Sequence, residues 1–102
     1  MPSLHLIRHA WNDRTSTLAS LERLGPHDRV MLIEDGVYGA VSGSIAAEVL
    51  REYRPRLAGV LVLQPDAIAR GLRPQDLITE VENTDYAGFV ALSLLSDRIV
   101  SW

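Results

Sequence analysis

The chain of 102 residues has no cysteine. Without a thiol it can form no disulfide, carry no persulfide and supply no thiolate nucleophile. Lysine is missing too, since all ten basic residues are arginine. That removes Schiff-base chemistry and the phosphate-gripping lysine of a P-loop. No apolar run approaches the length of a membrane span, and Met1-Pro2-Ser3-Leu4-His5 is not a basic stretch leading into a long apolar core. A soluble, cytoplasmic protein without membrane contact is expected. The formal charge is only -3, so no strong field draws in nucleic acid, and direct binding to it is not expected. Internal repeats, low-complexity runs and linkers are absent as well, which leaves a single domain over residues 1–102.

What is present is organised around Val30-Met31-Leu32-Ile33-Glu34-Asp35-Gly36-Val37-Tyr38. Four apolar residues without alternation suit a strand covered on both faces, as in a parallel sheet flanked by helices. Asp35-Gly36 then reads as turn chemistry at the strand's carboxyl edge, with Asp35 stabilising the turn and Gly36 free to take a positive φ. Before this strand, Leu4–Ile7 forms a first strand, and Thr15 or Ser16 caps a helix presenting Leu18, Leu21 and Leu24 and stopped by Gly25-Pro26. After it, residues 37–43 are ambiguous because of their glycines. A helix then runs from a Ser44 cap with Ile45, Ala46, Val49, Leu50 and Tyr53 on one face, until Pro55.

Val60–Leu63 is a third buried strand, and Pro65-Asp66 opens a short helix closed by Gly71. Leu77–Val81 reads as a fourth strand with one wet face. Asp85 or Thr84 caps a last helix whose inward stripe is Tyr86, Phe89, Val90 and Leu94, and Arg98–Trp102 closes as an edge strand. Five strands alternating with about four helices predict an α/β fold: a doubly wound, mainly parallel five-stranded sheet with right-handed crossovers.

The search for chemistry is mostly negative. His5 and His9 would lie about 13 Å apart along a strand, too far to share a metal, so no metal or other cofactor is expected. His5 reads as a hydrogen-bonded core or sheet-end residue, and His27 as a loop residue. Glu34 and Asp35 are neighbours on a strand and point to opposite faces, which disfavours an acid pair. Gly36-Val37-Tyr38-Gly39 breaks the dinucleotide spacing, and no glycine follows the first strand. Arg51, Arg54 and Arg56 cluster at a helix end, where the dipole favours cations. Ser20, Ser42 and Ser44 have no evident His-plus-acid partners. Tyr38 and Trp102 stand outside the clear helix stripes and are candidate anchors for a subunit contact or for the chain's own core.

Resemblance extends this reading. Leu4-His5 near the start, Glu34-Asp35-Gly36-Val37-Tyr38 with Ala40-Val41 and Gly43, Ala69-Arg70-Gly71-Leu72, and Asp85-Tyr86-Ala87-Gly88-Phe89-Val90-Ala91-Leu92 through Trp102 together resemble the TusB/DsrH family of sulfur-relay subunits. The likeness spans nearly the whole chain; Ala10-Trp11-Asn12 replaces the Ser-Pro-aromatic piece usual after the first strand. It implies a DsrE-like, Rossmann-like fold and a heterohexameric sulfurtransferase complex with TusC/DsrF-like and TusD/DsrE-like subunits, which passes sulfur onward to carrier proteins. In the Tus branch the sulfur reaches the wobble uridine of tRNA, and in the Dsr branch it belongs to sulfur oxidation. The cysteine typical of the Dsr branch falls at Ser20 here, and a serine hydroxyl does not hold transferable sulfur. The expectation is a subunit without catalysis of its own; Asp35, Gly36, Tyr38, Arg70, Gly71, Asp85, Tyr86, Phe89 and Trp102 are its motif or interface residues. The rival expectation is a flavodoxin-like small-ligand or nucleotide-binding domain using Asp35 and the nearby glycines.

Overall fold

The computed structural model describes residues 2–102. Five parallel strands, β1 (Ser3–Ile7), β2 (Arg29–Leu32), β3 (Gly59–Leu63), β4 (Glu82–Thr84) and β5 (Arg98–Ser101), form one sheet in the order β4-β3-β2-β1-β5. Four α-helices connect them: α1 (Arg14–Leu21), α2 (Ile45–Tyr53), α3 (Gln64–Ala69) and α4 (Tyr86–Leu95). The expected alternation is therefore present, and the sheet, expected to be mainly parallel, is parallel at every strand pair.

Side chains of β2 and β3 divide between two apolar layers, which is why both strands read as unbroken apolar runs. Ile7, Val30, Leu32, Val60 and Val62 face the larger layer with Leu21 of α1, and Val49 and Leu50 of α2. Leu4, Leu6, Met31, Leu61 and Leu63 face the smaller one, covered by Phe89 and Leu92 of α4. The last connection, from β4 through α4, carries the chain across the sheet to its other edge beside β1. The strand order thus reverses direction between β1 and β5.

Several local expectations change. The cap of α1 is Asp13, whose carboxylate accepts from the Ser16 N–H at 2.7 Å, rather than Thr15 or Ser16. That helix ends at Leu21, before Gly25-Pro26. Ile45 is exposed at the first position of α2, although Ser44 does cap that helix through the Ala47 N–H. Leu77–Val81 is not the fourth strand. Its backbone is engaged elsewhere: Ile78 N–H donates to Ala40 at 2.9 Å and Leu77 bridges antiparallel to Val41, while β4 begins only at Glu82. Leu77, Ile78 and Val81 are buried as core residues, which explains their apolar character.

The last helix departs most. Asp85 caps it, accepting from the Gly88 N–H at 2.8 Å, as the sequence indicates. Of the expected inward stripe, however, only Phe89 packs on the sheet, whereas Tyr86, Val90 and Leu94 are exposed by 59, 58 and 82%. A helix that is apolar all round offers no polar face to tell the inner side from the outer.

Candidate functional site

Where the strand order reverses, an α/β sheet leaves a crevice beyond the carboxyl ends of its strands, and ligands tend to bind there. A cleft of about 580 Å³ occupies this place. It is lined by Arg8 and His9 after β1, Glu34 and Asp35 after β2, Ser101 and Trp102 at the end of β5, and Arg70 after α3.

The segment leaving β2 is a 3₁₀ helix over Glu34–Ala40, which resolves the ambiguous stretch and corrects the expected turn. Asp35 does not stabilise a turn; its carboxylate accepts from Nε of Arg70 at 2.9 Å. Asp35 raises the Arg70 pKa above its ordinary value through that hydrogen bond. The positive φ belongs to Glu34, at 50°, and not to Gly36. Such a backbone conformation costs a non-glycine residue about 1–2 kcal/mol. It is held by Asp66 of α3, whose carboxylate accepts from the Glu34 N–H at 2.6 Å. Gly36 is required for space instead, because a Cβ there would be driven into the carbonyl oxygen of Ile7 at the end of β1.

Trp102 closes the opposite wall. Its backbone N–H donates to Leu6 at 2.9 Å, continuing the β5 ladder, and its indole N–H donates to Nδ1 of His5 at 3.1 Å. His5 is only 6% exposed, with Nε2 facing Asp28 at 3.7 Å. Because Nδ1 accepts from the indole, the ring is neutral with its proton on Nε2. Burial holds its pKa below the ordinary value, aided by Arg98 and opposed by Asp28. The guanidinium of Arg23 lies over the Trp102 ring, 5.7 Å from its centroid, a cation–π contact. Trp102 is thus packed within its own fold and also lines the cleft.

The structure gathers Asp35, Arg70 and Trp102 at this cleft, with Gly36 on its β1 side. Gly71 ends the α3 segment with a φ of 75°. Tyr38 is 41% exposed on the 3₁₀ helix. Ser20 lies half-buried on α1, its hydroxyl donating to the Ser16 carbonyl at 3.1 Å. Asp85, Tyr86 and Phe89 belong to α4, on the other layer. Arg8, His9, Glu34 and Ser101 were not singled out by sequence as lining residues; their shared signal is that each follows or ends a strand at the carboxyl edge. With both signs of charge, a hydroxyl and an indole, the cleft can hold a polar or zwitterionic group. Among the described residues no serine or threonine hydroxyl is hydrogen-bonded to a histidine.

The fold has solved counterparts. The ychN protein from E. coli superposes with a TM-score of 0.71 over 100% of both chains at 17% identity. Protein MTH1491 from Methanobacterium thermoautotrophicum, of unknown function, gives 0.74 over 99% of this chain and 98% of its own at 15% identity. These likenesses concern the fold alone. In sequence, Protein TusB of Enterobacter sp. (strain 638) is 33% identical over 100 residues, covering 97% of this chain and 99% of that one. Protein TusB of Shigella flexneri is 34% identical over 88 residues, covering 86% and 88%. The family described as DsrH like protein matches residues 12–99. With that family match and relatives aligned along nearly its full length, the chain belongs to the TusB/DsrH family.

Proposed function

We propose that this chain is a non-catalytic subunit of a cytoplasmic sulfur-relay complex supporting 2-thiolation of the tRNA wobble uridine, with residues 1–102 acting as one domain. Family membership combined with the complete lack of thiols carries the reading. Sulfane sulfur is held as a persulfide on a soft, ionisable thiolate. Ser20 stands where a Dsr-branch cysteine would be, and its hydroxyl is spent on the Ser16 carbonyl. The sulfur is therefore carried by sister subunits of TusC/DsrF-like and TusD/DsrE-like kind, and this chain completes the assembly, with Tyr38 and the α4 residues Tyr86 and Phe89 as motif positions. Affinity capture of the tagged chain from its own cells is expected to bring down two homologous small subunits, at least one carrying a cysteine. Recovery of a free chain alone refutes the reading.

The cleft favours one rival, a small-ligand domain of flavodoxin-like form. It presents Arg8 and Arg70 at the switch point but has no glycine-rich phosphate loop. A thermal-shift series with nucleotides and flavins separates the two. The relay reading predicts no stabilisation, and a rise in melting temperature that saturates with ligand favours the rival. If captured partners are present but tRNA thiolation is unaffected by loss of the gene, the complex serves the sulfur-oxidation branch instead.

A further inference from the structure

We infer that the cleft at the carboxyl edge of the sheet binds a small zwitterion, an α-amino acid with a neutral side chain. Its lining carries two guanidinium groups, Arg8 and Arg70, and two carboxylates, Glu34 and Asp35. Arg70 and Asp35 are spent on each other through the 2.9 Å hydrogen bond from Nε. Arg8 and Glu34 differ from them: among the described residues neither side chain has an ion-pair partner. The cleft thus offers one free charge of each sign. A ligand matches it by bringing one carboxylate and one ammonium, and a further charge on the ligand would face a pair already neutralised.

The walls are fixed before any ligand arrives. Among the described residues Glu34 is the one non-glycine residue with a positive φ. Strained backbone of this kind persists only where its surroundings hold it, and it collects at ligand sites. Here the Asp66 carboxylate holds it through the Glu34 N–H. Arg70 is pinned at two points, Nε on Asp35 and Nη1 on the Asp66 carbonyl at 3.1 Å, which leaves Nη2 for a ligand. Trp102 is held by its backbone N–H on Leu6 and its indole N–H on His5. Such preorganisation removes ordering costs that binding would otherwise bear. The volume of about 580 Å³ is that of a small-molecule site. The ligand carboxylate meets Arg8 and Nη2 of Arg70 in charge-assisted hydrogen bonds, its ammonium meets Glu34, and its side chain lies against the Trp102 indole. A phosphate dianion drawn to the arginines would face both carboxylates as well.

The inference does not rest on the relay reading: partner capture tests that reading, and ligand titration of the purified full chain tests this one. Isothermal titration calorimetry against each of the twenty L-amino acids, inorganic phosphate and AMP is expected to show saturable one-to-one binding of at least one neutral amino acid, with Kd below about 1 mM. The methyl ester and the N-acetyl form of that amino acid, each lacking one charge, are expected to bind about tenfold more weakly or worse. Arg8→Ala and Glu34→Gln remove the two free charges without breaking an ion pair, so circular dichroism stays that of wild type while each raises Kd by about tenfold or more. Three results overturn the inference: no amino acid binding below that Kd, phosphate or AMP binding more tightly than every amino acid, or a Kd indifferent to both substitutions.

Discussion

Replacing Gly36 by alanine tests how the cleft is built. The added Cβ meets the backbone carbonyl of Ile7, not a flexible side chain. That carbonyl also accepts from the Ile33 N–H at 3.0 Å, so moving it loosens the contact between the ends of β1 and β2. Overpacking typically costs about 1–3 kcal/mol, and a weakened hydrogen bond adds roughly 1 kcal/mol, giving about 2–4 kcal/mol in all. For a chain of this length, that lowers the melting temperature by roughly 10–25 °C. Gly43→Ala is the control. Its φ of 89° is unfavourable for alanine, but a Cβ there meets nothing within 4 Å. Only the conformational cost of about 1–2 kcal/mol remains. Thermal and urea unfolding of both variants, followed by circular dichroism, give the comparison. If Gly36→Ala melts within about 3 °C of wild type, or if Gly43→Ala is the more damaging, close backbone approach is not what selects glycine at position 36.

Asp85→Ala removes the α4 cap and is expected to cost about 1 kcal/mol in urea unfolding. Asp66→Ala frees the strained Glu34 backbone and is expected to cost about 1–2 kcal/mol, more than Arg70→Gln, whose partner Asp35 is 65% exposed and screened by water. His5 has a folded pKa below its ordinary 6.5, so between those two values the unfolded chain binds a proton that the native one does not. Its contribution is intact above about pH 6.5 and is lost as pH falls toward the folded pKa. His5→Gln should flatten the pH dependence of stability in that window, and an unchanged slope in a urea series at several pH values contradicts this.

The sheet was legible in the sequence because β2 and β3 are apolar on both faces, and a run such as Val60-Leu61-Val62-Leu63 has few other uses. The helix caps at Ser44 and Asp85 were legible for a similarly local reason. What failed depended on tertiary context. Leu77, Ile78 and Val81 carry a strand-like composition, but Leu77 and Ile78 pair with Val41 and Ala40 at the end of the 3₁₀ helix, which no local pattern announces, and the Val81 N–H turns back to the Ile78 carbonyl. The α4 stripe failed because apolar residues encircle the helix, so the outer residues read as core. At the candidate site, Asp35 and Arg70 stood out through resemblance, but their pairing across 35 residues is a product of the fold. Gly36 was noted for the wrong property, backbone freedom, when the structure uses its missing side chain.

The central claim is that a thiol-free member of this family is needed for sulfur to reach tRNA without carrying the sulfur itself. Mass-spectrometric measurement of 2-thiouridine in bulk tRNA, after deletion of the gene and after its restoration, tests this most directly. Loss of the modified nucleoside on deletion and its recovery with the cysteine-free chain are expected; undiminished 2-thiouridine in the deletion strain contradicts a role in that relay.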